Sequence, residues 1–194
     1  GYIYYMLQEN QSVSNIDAEV PLLEELLNIS GTEENPVCGV EFDGITFAGT
    51  TYLRPETGNG HIDAQANGIR EKTEGFEDEL PLAAVTISYA NEVKFKNCNF
   101  KMLGSNGINI LAGAKNIQIS NCNFNDISST AVAVGGVSSN FRLPGSAAEV
   151  IENIEISECD ISKAALEFYS GVGISVGMAK NVTIRNNNIS ELNY

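Results

Sequence analysis

Asn116-Ile117-Gln118-Ile119-Ser120-Asn121-Cys122-Asn123-Phe124 decides how the chain folds, because the same phrase returns with conservative changes along most of its length. Upstream stands Asn91-Glu92-Val93-Lys94-Phe95-Lys96-Asn97-Cys98-Asn99-Phe100, with one extra residue after the first Asn. Downstream follow Asn153-Ile154-Glu155-Ile156-Ser157-Glu158-Cys159-Asp160-Ile161 and Asn181-Val182-Thr183-Ile184-Arg185-Asn186-Asn187-Asn188-Ile189. A fainter copy, Gly39-Val40-Glu41-Phe42-Asp43-Gly44-Ile45-Thr46-Phe47, precedes them. From Val93 to Ile117, Ile154 and Val182 the steps are 24, 37 and 28 residues. Periods of this size belong to solenoids.

Each copy alternates apolar and polar residues, so Val93, Phe95, Ile117, Ile119, Ile154, Ile156, Val182 and Ile184 share one face. The central Asn or Glu breaks the run at a bend, where Asn tolerates a left-handed backbone better than most residues. A second short strand then ends at Phe100, Phe124, Ile161 or Ile189. A third alternation lies between copies, as in Gly107-Ile108-Asn109-Ile110 and Gly173-Ile174-Ser175-Val176. Three short strands per repeat without helical spacing describe one coil of a parallel β-helix, an all-β single-stranded solenoid. A lone coil cannot offset its ordering entropy, so stability must come from stacked neighbours.

With 194 residues and 43% hydrophobic content the chain reads as one domain. The net charge of −14 argues against nucleic-acid partners and anionic membrane surfaces, which reward clustered Lys and Arg. Cys98, Cys122 and Cys159 hold one repeat position and should stack about 4.8 Å apart, within disulfide reach. The reading is a buried ladder of free thiols. No CxxC spacing suggests zinc, and no metal site is expected.

Residues 1–35 do not fit the repeat and read as an N-terminal capping segment. Tyr2 to Leu7 reads as a strand, and Pro21 opens a helix over Leu22 to Leu27, where leucines recur three and four apart. Such an element would cover the open end of the solenoid. Residues 36–194 then form about five coils, with the last left unfinished at the C-terminus. Three excursions interrupt them: a long one over 50–81, a second from Gly135 to Val150, and a third from Lys163 to Ser170. At equivalent turns they would line up on one side and wall a groove for a long polymer.

The phrase Asn-Ile-x-Ile-x-Asn-Cys-x-Phe followed by Gly-Ile-x-Ile resembles the repeats of right-handed parallel β-helix proteins of the pectate-lyase-like superfamily. Val40 to Phe47, Thr50-Thr51-Tyr52-Leu53-Arg54-Pro55 and His61-Ile62-Asp63-Ala64-Gln65-Ala66 are similar to the opening section of secreted bacterial β-helix glycoside hydrolases. Tyr52 stands where those relatives usually carry Trp. The resemblance implies the N-terminal portion of a longer polysaccharide-active enzyme, secreted, periplasmic or on the cell surface, whose catalytic acids commonly sit in central or later coils. A polysaccharide lyase and a non-catalytic carbohydrate-binding or adhesin-type β-helix are the alternatives.

Glycoside hydrolysis needs paired carboxylates. Asp126 and Glu191 occupy the same turn two coils apart, and Asp63 lies beside His61, the chain's one histidine, in the long excursion. These four are the catalytic candidates; Tyr52, Arg54, Gln65, Asn67 and Glu167 are the substrate-binding ones. The other reading packs the excursion against the flank, with His61 hydrogen-bonded structurally and the turn acids solvated. No cofactor is expected for a hydrolase, whereas a lyase would use Ca2+ held by acidic side chains. The expected partner is an oligosaccharide or polysaccharide, and the open last coil points to end-to-end self-association.

Overall fold

The computed structural model describes residues 4–56, 60–64, 68–70, 78–136 and 144–193. The chain forms five coils, each giving one strand to each of three parallel five-stranded sheets. The first sheet holds Leu27–Ser30, Ala83–Ser88, Asn106–Ile110, Val132–Val134 and Ile174–Val176. The second holds Val37–Asp43, Ala90–Lys96, Lys115–Ser120, Ile151–Ser157 and Ala179–Arg185. The third holds Thr46–Ala48, Asn99–Leu103, Asn123–Ile127, Asp160–Ser162 and Asn188–Ser190. The long excursion adds a small antiparallel sheet of Asp63–Ala64, Gly68–Arg70 and Asp78–Glu79.

In-register pairing stacks like on like. Ile117 lies opposite Ile154, and Phe124 lies between Phe100 and Ile161. The rings of Phe47 and Phe100 stack at 5.0 Å, and those of Phe100 and Phe124 at 4.5 Å, so a continuous aromatic column runs up the core. Register also removes the extra residue expected near Asn91. That residue pairs with Lys115, so Glu92 takes the position equivalent to Asn116.

Each coil enters the left-handed region at the same places. At the bend between the second and third sheets, Gly44, Asn97, Asn121, Glu158 and Asn186 have φ of 69°, 53°, 52°, 58° and 56°. The Asn121 amide donates to Asn97, and that of Asn97 donates to Asp43 at 2.7 Å. A second such column runs through Gly39, Glu92, Asn116, Asn153 and Asn181, and a third through Gly49, Met102, Asp126, Lys163 and Glu191.

Cys98, Cys122 and Cys159 form a buried column directly after the first bend, and they and the exposed Cys38 are free thiols. The Sγ atoms of Cys98, Cys122 and Cys159 lie nearest the carbonyls of Lys96, Ser120 and Ser157 in their own coils, at 3.2, 3.4 and 3.3 Å, and next to those of Phe42, Phe95 and Ile119, one coil earlier. In the last coil Asn187 does the same work, its amide donating to the Ile156 carbonyl at 2.9 Å. The column therefore sets a small thiol or an amide against a carbonyl of the coil before. The hydrogen bond with Cys159, reinforced by burial, holds the Cys122 thiol above the ordinary cysteine range, which keeps it protonated and inert.

The N-terminal segment departs from expectation. Residues 21–26 form no helix, and Leu27–Ser30 is the first strand of the first sheet, so the first coil opens at Leu27 rather than near Pro36. Leu26 N–H donates to the Ala84 carbonyl at 2.8 Å, which extends the sheet pairing backwards and outweighs the helical leucine spacing. Residues 4–7 form no strand, and Tyr2 and Ile3 lie outside the described residues. A short 3-10 turn spans Val13–Asn15. The two ends of the solenoid differ: Ile29 and Phe47 in the first coil are 5% and 8% exposed, whereas Val176 and Ile189, in the same columns of the last coil, are 42% and 44% exposed.

Cys122→Ala removes a buried thiol and its contacts with the Ser120 and Phe95 carbonyls, and should cost about 1–3 kcal/mol in urea unfolding. Asn187→Ala, at the exposed last coil, should cost less.

Candidate functional site

Two excursions leave the same turn, between the third sheet and the first, and they meet. Residues 50–81 leave the first coil and 163–170 leave the fourth. The excursion over 135–150 leaves a different turn, between the first and second sheets, so the three do not line up on one side as expected. Its residues 137–143, including Phe141 and Arg142, lie outside the described residues.

The root of the long excursion is tied down first. Thr51 N–H donates to the Leu23 carbonyl at 2.9 Å, and Leu53 N–H donates to Glu24 Oε1 at 2.8 Å. Gly104 N–H donates to Thr50 Oγ1 at 2.9 Å, and a Cβ on Gly104 would stand 2.8 Å from the Thr51 carbonyl carbon, so the excursion crosses the second coil's short turn at backbone contact.

From this root Tyr52 reaches His61, its hydroxyl 3.2 Å from Nδ1. His61 Nε2 lies 2.9 Å from Asp63 Oδ1. Because a carboxylate only accepts, Nε2 carries the proton in the neutral ring and Nδ1 accepts from Tyr52. Ser170, from the fourth coil's excursion, donates its hydroxyl to the same Asp63 oxygen at 2.8 Å. Phe168 stacks on the His61 imidazole with centroids 3.9 Å apart and meets the Tyr52 ring edge-on at 5.4 Å. The His61 side chain is 5% exposed and that of Asp63 is 36% exposed.

This cluster is a clamp with one accessible edge. Both imidazole nitrogens are engaged and the ring is sealed under Phe168, so His61 positions Asp63. The Asp63 carboxylate remains open to a polar ligand. Arg54 is half-buried in the 3-10 turn Arg54–Glu56, and Glu167 is exposed on the turn that carries Phe168. Gln65 and Asn67 lie outside the described residues.

Asp126 and Glu191 do share a column, two coils apart, as their spacing predicts. Lys163 stands between them in that column. At a rise of about 4.8 Å their backbones are roughly 10 Å apart. Among the described residues no three His, Cys, Asp or Glu side chains gather closely enough to hold a metal ion.

Phe168 and Ser170 are the residues that sequence reasoning missed. The available signal was Phe168-Tyr169, two adjacent aromatic residues in a segment without strand alternation.

The family described as right handed beta helix region matches residues 83–194. A solved structure named Glycoside hydrolase is similar, with a TM-score of 0.82 and 29% sequence identity over 90% of this chain and 33% of that chain. The chain thus spans about a third of that protein's length. No curated protein matches it.

His61→Ala should cost about 2 kcal/mol, since it removes two hydrogen bonds and a ring stack. It should also open residues 50–81 to limited proteolysis at native temperature. Asp63→Asn keeps an acceptor and should cost less. Equal protease resistance in wild type and His61→Ala would contradict the clamp.

Proposed function

The chain belongs to the right-handed β-helix family, and on that premise we propose that it is polysaccharide-active, as the N-terminal portion of a glycoside hydrolase working outside the cytoplasm. The likeness to a glycoside hydrolase across 90% of this chain carries the reading. That likeness runs through the coils that bear both excursions. Asp63, held by His61 and Ser170, is the substrate-binding carboxylate of this part of the molecule.

Charge favours a neutral glycan. The chain carries −14, and Asp63 and Glu167 are the acids of the cluster and its turn. Polyuronates, the substrates of a Ca2+-dependent lyase, would meet a like-signed field. A non-catalytic glycan-binding role is the second reading, favoured by Lys163, which stands between Asp126 and Glu191 in their column.

Incubation with arabinoxylan, galactomannan and polygalacturonate tests the reading through affinity electrophoresis and product assays. Retention of this chain on a neutral glycan, with release of reducing ends by the full-length protein, is the expected result. Release accompanied by the ultraviolet absorbance of an unsaturated uronate would select a lyase. Retention without product would select the binding role, and no retention on any glycan would overturn the polysaccharide reading.

A further inference from the structure

We infer that Tyr169 is a saccharide-stacking platform of the Asp63 site, an assignment that rests on the polysaccharide reading. Tyr52, the ring expected from the sequence to face a sugar, cannot do this. Its hydroxyl is committed to His61 and its ring is half-buried against Phe168. Tyr169 instead presents its ring to solvent, 61% exposed.

Exposure alone would mean little, since single exposed aromatic residues are common. What sets Tyr169 apart is that its backbone is pinned on both sides. It occupies the first central position of the turn Phe168 to Gly171, closed by Gly171 N–H donating to the Phe168 carbonyl at 3.0 Å. On one side Phe168 stacks on His61, and its N–H donates to the Ser128 carbonyl at 2.9 Å. On the other, Ser170 donates to Asp63 at 2.8 Å. A Cβ on Gly171 would stand 2.8 Å from the Ser129 carbonyl carbon, so the turn lies tight on the third coil. Tyr4 is more exposed, but it sits in the N-terminal segment without such anchors.

The turn thus carries Tyr169 next in sequence to Ser170, which bonds a carboxylate that is itself 36% exposed. An aromatic face that takes the CH face of a pyranose and an acceptor for its hydroxyl groups are the two elements a neutral sugar needs. Little backbone ordering entropy remains to be lost on binding, because the turn is already fixed. The same turn contributes the exposed Glu167. A neutral glycan fits this pair of acids better than a polyanion does.

The test uses the whole chain with arabinoxylan and galactomannan as probes. Tyr169→Ala should weaken retention about tenfold, whereas Tyr169→Phe should stay within about twofold because the ring face survives. Neither should move the thermal midpoint. The chain contains no Trp, so Tyr169→Trp supplies a single reporter whose emission should shift to the blue when a glycan covers it. Wild-type retention that Tyr169→Ala leaves unchanged, or an unmoved Trp emission on a variant that still binds, overturns the stacking assignment and leaves the polysaccharide reading standing. Failure of wild type to bind either glycan overturns both.

Discussion

Each parallel strand pair fixes which residue of one coil lies over which residue of the next, and a slip by one would turn every inward side chain outward. Here the pairing is locked by residues that bend the backbone at fixed positions. Three columns of left-handed residues mark those positions, and Asn is the most frequent occupant of two of them, the one within the second sheet's strands and the one directly after those strands. An Asn there relieves steric cost at the bend and offers an amide to its neighbour, as Asn153 does to Asn116 at 3.0 Å and Asn181 to Asn153 at 3.1 Å. A slip would break these ladders, the Phe column and the Cys column together.

Because the strands of each coil pair only with those of the adjacent coils, the stability of the stack is largely a sum of contacts between neighbouring layers. The interchange of Cys159 and Asn187 shows how local the requirement is. Both side chains place a donor against the carbonyl of the preceding coil, and the rest of the chemistry is free to vary. The same logic explains the contrast between the ends. A layer without a partner exposes side chains that are buried in every interior layer, as Val176 and Ile189 do.

The sequence made the scaffold readable because its period is written in apolar alternation, and alternation is set by the backbone. Leu22 to Leu27 misled for the complementary reason. Leucines three and four apart satisfy a helix locally, but Leu27 and Ile29 find partners in Val85 and Ile87, far along the chain. That tertiary pairing is invisible in a short window. His61, Asp63 and Tyr52 stood out as polar and aromatic residues in a stretch that breaks the repeat. Phe168 and Ser170 did not, because their meaning comes from residues more than a hundred positions earlier.

That distance in sequence is short in space. The first and fourth coils are three layers apart, roughly 14 Å at a rise of about 4.8 Å per layer, and the scaffold holds the two excursion roots at that separation. The turns of the second and third coils must then be short, because the excursions converge over them. Gly104 and the turn from Ser128 to Thr130 meet this need: one lets Thr51 pass at backbone contact, and Ser128 accepts the N–H groups of Glu167 and Phe168. A side chain at position 104 would push the root of the long excursion outward, and His61 would lose its seat under Phe168. The regularity of the inner coils is therefore what brings an acid from one excursion and an aromatic turn from the other to the same place.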